Sequence, residues 1–181
     1  MATDLAWGAP LTEDDLATMP DDGHRYELID GVLIVSPAPS INHQRCVRSL
    51  LVLLHAARQP EHEVLPGPVD VRFSRTTVLI PDLLVARKSD LMPARLETAP
   101  VLVVEVLSPS TRLFDVGTKR MVYEAAGVLA YWLVDPDAPS VTVLELEDGR
   151  YVERATVTWD EAYHDTIQFP VTVVPARLLE D

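Results

Sequence analysis

Two acids stand where acids are costly. Glu105 interrupts Val101-Leu102-Val103-Val104-Glu105-Val106-Leu107, a run whose length and β-branched content suit a strand buried on both faces. A carboxylate left unpaired there must stay protonated or lose its solvation without return, so a chain that keeps one there matches it to a cation. The run from Val78 to Ala86 repeats the pattern with Asp82 inside it, directly after Pro81, and only the connection from Arg87 to Pro100 separates the two. Adjacent strands bring Asp82 and Glu105 to one point. Singly, Asp82 could satisfy backbone amides near Pro81 and Glu105 could pair with an arginine. Two such acids on neighbouring strands read better as one site, and without metal the two carboxylates would repel each other.

The elements that must position these acids are punctuated by fifteen prolines. Thr12 to Met19 has the pattern of a short helix, with Thr12 as N-cap and Asp15 at the capping-box position. Arg25 to Val35 alternates around Asp30-Gly31, a dipeptide suited to a type I′ hairpin turn. From Ser40 or Asn42 to about Arg58, Val47, Leu50, Leu51 and Leu54 recur at helical spacing, with Arg45, Arg48 and Arg58 outside that stripe. Its apolar face should cover a sheet. Val69–Ser74, Val78–Ala86, Val101–Leu107, Leu129–Val134 and Val141–Leu146 read as successive strands, and Asp148-Gly149 should turn a hairpin into Tyr151–Val157. A second helix spans roughly Asp115 to Ala126, with Asp115 as N-cap and Gly127 as its stop.

Composition bounds the object. At 181 residues and 48% hydrophobic content, the chain can bury a full core as one domain, 1–181. A net charge of -13 excludes a tight, nonspecific polyanion binder, so any contact with nucleic acid must be local. Cys46 is the only cysteine, which excludes an intrachain disulfide and a thiolate metal cluster and fits a reducing cytoplasm. The amino terminus carries Asp4 and no long apolar segment, so neither a leader nor a membrane span is expected.

The residue order then resembles a known family. Tyr26-Glu27-Leu28-Ile29-Asp30-Gly31, His43-Gln44, Pro81-Asp82-Leu83-Leu84-Val85, Val104-Glu105-Val106-Leu107-Ser108-Pro109-Ser110-Thr111, Asp115 with Lys119 and Tyr123, and Ala126-Gly127-Val128 followed by Tyr131-Trp132-Leu133-Val134-Asp135-Pro136 are similar to the Uma-type restriction endonuclease family, a bacterial branch of the PD-(D/E)XK nuclease superfamily. The resemblance covers nearly the whole chain. It implies an α/β, restriction-endonuclease-like PD-(D/E)XK core: a mixed central sheet flanked by helices, with an N-terminal helix and hairpin and additional C-terminal strands. Strand parity places Glu105 on the face of Val103 and Leu107. The superfamily lysine would fall at Leu107, so this chain lacks it there. It has two lysines against thirteen arginines, and Lys119, on the helix after the acidic strand, could return an amine to the same point.

The implied chemistry is metal-dependent hydrolysis of phosphodiester bonds, with DNA as the implied nucleic-acid partner and a homodimer as a possible assembly. Asp82 and Glu105 would hold Mg²⁺ or Mn²⁺, with the Val106 carbonyl as a further oxygen ligand. Lys119 would orient the attacking water or stabilise the pentavalent phosphorus. Glu27 would approach from the hairpin, either binding metal through water or positioning the first helix. His43, Ser108 and Ser110 are candidate substrate contacts. Competing structural roles are an exposed i, i+4 salt bridge for Asp115 and Lys119, a helix-surface or core-satisfied place for His43, packing for Tyr123, backbone capping for Ser108, Ser110 and Thr111, and a solvated surface for Glu124. Three rival readings stay open: an inert nuclease fold serving binding or regulation, a metal-dependent hydrolase of small phosphoesters, and a homo-oligomeric scaffold.

Overall fold

The computed structural model of the protein describes residues 9–165 and 169–180. Asp4, which argued against a leader, lies outside the described residues. Helix α1 is a single turn, Glu13–Leu16, started as expected by Thr12, whose backbone amide donates to the Asp15 carboxylate at 2.8 Å. Strands β1 (Arg25–Ile29) and β2 (Val32–Ser36) form the expected hairpin, with Asp30 and Gly31 both at positive φ, 49° and 78°, as a type I′ turn requires. Helix α2 (Ile41–Ala57) begins at Ser40, whose hydroxyl accepts the His43 amide, and buries Cys46, Val47, Leu50 and Leu54.

The remaining strands are β3 (His62–Pro66), β4 (Val71–Ser74), β5 (Thr77–Leu79), β6 (Leu83–Arg87), β7 (Leu102–Val106), β8 (Ala130–Asp135), β9 (Ser140–Glu147), β10 (Arg150–Thr158), β11 (Tyr163–Asp165) and β12 (Val171–Val173). A six-stranded sheet runs in the order β10-β9-β8-β7-β6-β3, and a four-stranded sheet in the order β2-β1-β5-β4. The pair β7–β8 is parallel and its neighbours are antiparallel, so the large sheet is mixed. Parity divides the core. Leu102, Val104 and Val106 of β7 pack with α2, whereas Val103 and Leu107 pack with Ile29 and Ile34 of the hairpin and with Tyr123. Asp148 and Gly149, at φ 49° and 78°, turn β9 into β10.

Two sequence expectations change. The run Val78–Ala86 is two strands in two sheets: β5 belongs to the small sheet and β6 to the large one. Pro81 has no N–H to continue a ladder, and the Ile80 amide donates to the Glu27 side chain instead, at 2.8 Å. Asp82 therefore sits at the seam between the sheets and not inside a strand. The second helix also differs. A π-helical turn, Phe114–Lys119, leads into helix α3, Arg120–Ala126, so Asp115 lies inside a wide turn and caps nothing. The Tyr131 hydroxyl donates to the Asp115 carbonyl at 2.9 Å, taking up an acceptor in this irregular turn. Gly127, at φ 81°, ends α3 as expected, with the Val128 amide returning to the Tyr123 carbonyl. Strand β3 was not foreseen: His62 to Pro66 has too few apolar residues to announce an edge strand. Among the described residues no helix is long and apolar enough to cross a membrane.

Candidate active site

Strand pairing sets the distance between the two acids. The β6–β7 ladder reaches Leu83 opposite Val104, and one step further along the same register puts Asp82 opposite Glu105. Asp82 accepts from Arg25 Nη1 at 2.7 Å through Oδ1, and its Oδ2 lies 2.8 Å from the Val106 amide and 3.0 Å from His43 Nε2. Burial raises the pKa of this carboxyl, but the His43 hydrogen bond and the Arg25 charge outweigh it and hold the group below the usual carboxylate range.

Glu105 has a different shell. Tyr123 Oη donates to its Oε1 at 2.9 Å, and Lys119 Nζ lies 3.2 Å from the same oxygen. Lys119 also stands 3.1 Å from Glu27 Oε1 and 3.3 Å from Asp115 Oδ1. It is fully buried, so the exposed i, i+4 salt bridge that its spacing allowed is not what forms. Burial opposes its charge, yet the three carboxylates more than compensate and keep the ammonium protonated. Burial, with repulsion from Asp82, Asp115 and Glu27, pushes the Glu105 carboxyl well up despite Lys119. Burial also raises the pKa of Asp115, against the pull of Lys119.

Charge in this cluster does not balance. Four buried acids, Glu27, Asp82, Glu105 and Asp115, face two permanent cations, Arg25 and Lys119. Fully ionised, they leave two negative charges in excess, which protons or one divalent cation would neutralise. Glu27 Oε2 is buried without a hydrogen bond. The donor set is hard oxygen, which suits Mg²⁺ or Mn²⁺. The acids are held by protein cations, however, and among the described residues no three His, Cys, Asp or Glu side chains stand arranged as a ligand set. The notion that Asp82 and Glu105 merely repel each other in metal-free protein is thus corrected: Arg25 stands against Asp82, and Lys119 stands against Glu105 while shared with Glu27 and Asp115.

A cavity of about 750 Å³ opens on one side of this cluster, with Arg25, His43, Asp82, Leu107, Ser108 and Ser110 in its wall. Glu105 and Lys119 lie behind that wall. The hydroxyls of Ser108 and Ser110 stand 3.0 Å apart, and Ser108 Oγ is 2.9 Å from Thr111 Oγ1, so this loop satisfies itself while facing the cavity.

The chain matches the model of the Uma2 family, described as "Putative restriction endonuclease", over residues 13–172. The chain belongs to the Uma2 family. Among solved structures, this Uma2 chain is similar to one described as a putative nuclease belonging to DUF820 from Anabaena variabilis, with 22% identity, a TM-score of 0.66 and coverage of 84% of this chain and 86% of the other. That likeness shows the fold, which is restriction-endonuclease-like. No curated protein matches.

Within this Uma2 fold, Asp82, Glu105, Lys119 and Glu27 are brought together as the sequence suggested, and His43 joins them through Asp82 and not from the helix surface. Val106 adds its amide to Asp82. Tyr123, read as packing, also holds Glu105. Glu124, read as solvated, anchors β10 by accepting from the Tyr151 amide at 2.6 Å and Arg150 Nη1 at 2.9 Å. The residue that sequence reasoning missed is Arg25. The signal was present: Arg25 and Glu27 are two apart on a strand and share a face, so an acid turned inward implied a cation beside it.

Proposed function

We propose that this chain is a metal-dependent nuclease, one domain over 1–181, that hydrolyses phosphodiester bonds in DNA at the Asp82–Glu105 cluster. The observation that carries the reading is the excess of buried acid at a register point that opens on a cavity. Asp82 and Glu105 would hold Mg²⁺ or Mn²⁺ with the Val106 carbonyl, and Glu27 would approach from the hairpin, binding the metal through water. A divalent ion bound there supplies a Lewis acid for the scissile phosphate and lowers the pKa of the attacking water. Lys119 would fix Glu105 from behind and provide, at the back of the site, the positive charge that Leu107 does not. His43 holds the second oxygen of Asp82, and Ser108 and Ser110 face the substrate backbone from the cavity wall.

The test is cleavage of supercoiled plasmid and of labelled single- and double-stranded oligonucleotides with Mg²⁺ or Mn²⁺, against Asp82→Asn, Glu105→Gln and an EDTA control. Metal-dependent cleavage lost in both variants is the expected result, and release of product only from a chromogenic phosphodiester would move the assignment to small phosphoesters. One observation favours a second reading. Each acid already has a protein partner, which is what an inert nuclease fold serving regulation would show, and such a protein would bind no Mn²⁺ in calorimetry.

A further inference from the structure

A metal ion needs an oxygen of Asp82, and both are engaged. At Oδ2 the donors are the Val106 amide, fixed by the sheet, and His43, fixed on α2. At Oδ1 the donor is Arg25, whose long side chain stands in the cavity wall with 25% of its surface exposed, while Lys119 has none. Arg25 is also incompletely held. Its Nε is buried without a hydrogen bond and lies 3.7 Å from Glu27 Oε2. Of the groups on Asp82, Arg25 has the longest and most exposed side chain, 25% against 9% for His43, and the third donor is a backbone amide.

We propose that Arg25 is an internal counter-cation that occupies the metal's place on Asp82 and turns into the cavity when a divalent ion takes that oxygen. The inference rests on the metal-dependent reading above and adds a residue to it. The released guanidinium is a planar, permanently charged fork suited to a phosphate oxygen pair, and it would enter a cavity otherwise poor in cations. Arg25 is thus a positioning residue with two stations: one sets metal affinity and the other meets the substrate phosphate. In a molecule of net charge -13, this arrangement keeps the acid cluster from taking up cations indiscriminately until a dication outcompetes a single positive charge.

The experiment is calorimetric titration of Mn²⁺ into the full chain at neutral pH, comparing wild type, Arg25→Gln, Arg25→Lys and the double variant Arg25→Gln/Asp82→Asn. Removing the competing charge should tighten Mn²⁺ binding about tenfold or more in Arg25→Gln. Arg25→Lys, which keeps the charge, should stay near wild type, and the double variant should lose the gain. Damage to the fold would instead weaken binding. Unchanged or weaker Mn²⁺ binding in Arg25→Gln, with wild type binding through Asp82, overturns the counter-cation role and leaves the metal reading standing. Absence of Mn²⁺ binding in wild type and Arg25→Gln alike overturns both. A second measurement needs no variant: Mn²⁺ should speed phenylglyoxal labelling of Arg25, read by peptide mass spectrometry, and an unchanged labelling rate would also overturn the proposal.

Discussion

Asp82 and Glu105 are neighbours of the same chemical type with opposite environments. Asp82 lies at a seam between two sheets, against a cavity, and accepts from Arg25, His43 and a backbone amide, which hold it ionised. Glu105 lies within a strand, closed off from solvent, and burial, with repulsion from Asp82, Asp115 and Glu27, pushes its carboxyl up despite the one lysine that it shares with two of them. The difference teaches that burial alone does not decide protonation here. Asp82 accepts from three donors, whereas the lysine on Glu105 is divided among three acids.

The sharpest way to break the comparison is to remove the shared cation. Lys119→Ala leaves Glu27, Glu105 and Asp115 buried without it, and stripping one partner from a buried ion network typically costs ~3–5 kcal/mol. Denaturant melts in EDTA should show that loss, and adding Glu105→Gln should recover part of it. No recovery would mean that Lys119 contributes packing and little charge.

A smaller effect separates the two acids. In EDTA, Asp82→Asn should lose ~1.5–3 kcal/mol, the usual worth of hydrogen bonds to a charged group, whereas Glu105→Gln should lose none and could gain ~1 kcal/mol from relieved repulsion. The pH dependence follows with opposite signs. The Asp82 pKa is lowered on folding, so its contribution is present above the unfolded value near ~4 and is lost as pH falls through the folded value. The Glu105 pKa is raised, so its contribution is full below the unfolded value and is lost as pH rises through the folded one. Thermal melts across pH should therefore show a flatter acid limb in Asp82→Asn and a smaller decline towards neutral pH in Glu105→Gln. Identical profiles for the two variants would erase the distinction.

A similarly small change is expected from Tyr123→Phe. It removes one donor from Glu105 at 2.9 Å and keeps the ring against Tyr131, for ~1 kcal/mol and a further rise in the Glu105 pKa. A melt shift larger than that of Asp82→Asn would show that the phenol, and not Lys119, is the main support of Glu105.

Much of this was legible from the residues. Asp-Gly at 30–31 and 148–149 announced both tight turns, and the period of two in β7 put Glu105 on the face of Val103 and Leu107, towards Tyr123 and Lys119. The seam was not legible as such, because Val78–Ala86 is apolar on both sides of Pro81-Asp82 and hydrophobicity is the same whichever sheet a residue joins. Pro81 marked the break, but only the Ile80 amide meeting Glu27 shows where the ladder stops. The wide turn at 114–119 was hidden for a related reason: the residues of a π turn carry no pattern distinct from an α-helix. Arg25 was missed because an arginine at the start of a hairpin strand looks like any solvated end unless its shared face with Glu27 is weighed.

That wide turn sets a phase. In an ordinary helix each residue advances about 100°, so the direction of every upstream side chain is fixed by counting back from Tyr123. An inserted wide turn frees the two halves from that count. Deleting one residue between Asp115 and Lys119 would close the turn to an ordinary helix, leaving Lys119 and Tyr123 on Glu105 and Asp115 an i, i+3 neighbour of the lysine. The mouth of the cavity, where Ser108 to Thr111 lie, and the closed back of the site, where Lys119 lies, are thereby separate adjustments on one continuous stretch of chain. Changes in length at the mouth can alter what enters without re-aiming the amine behind Glu105.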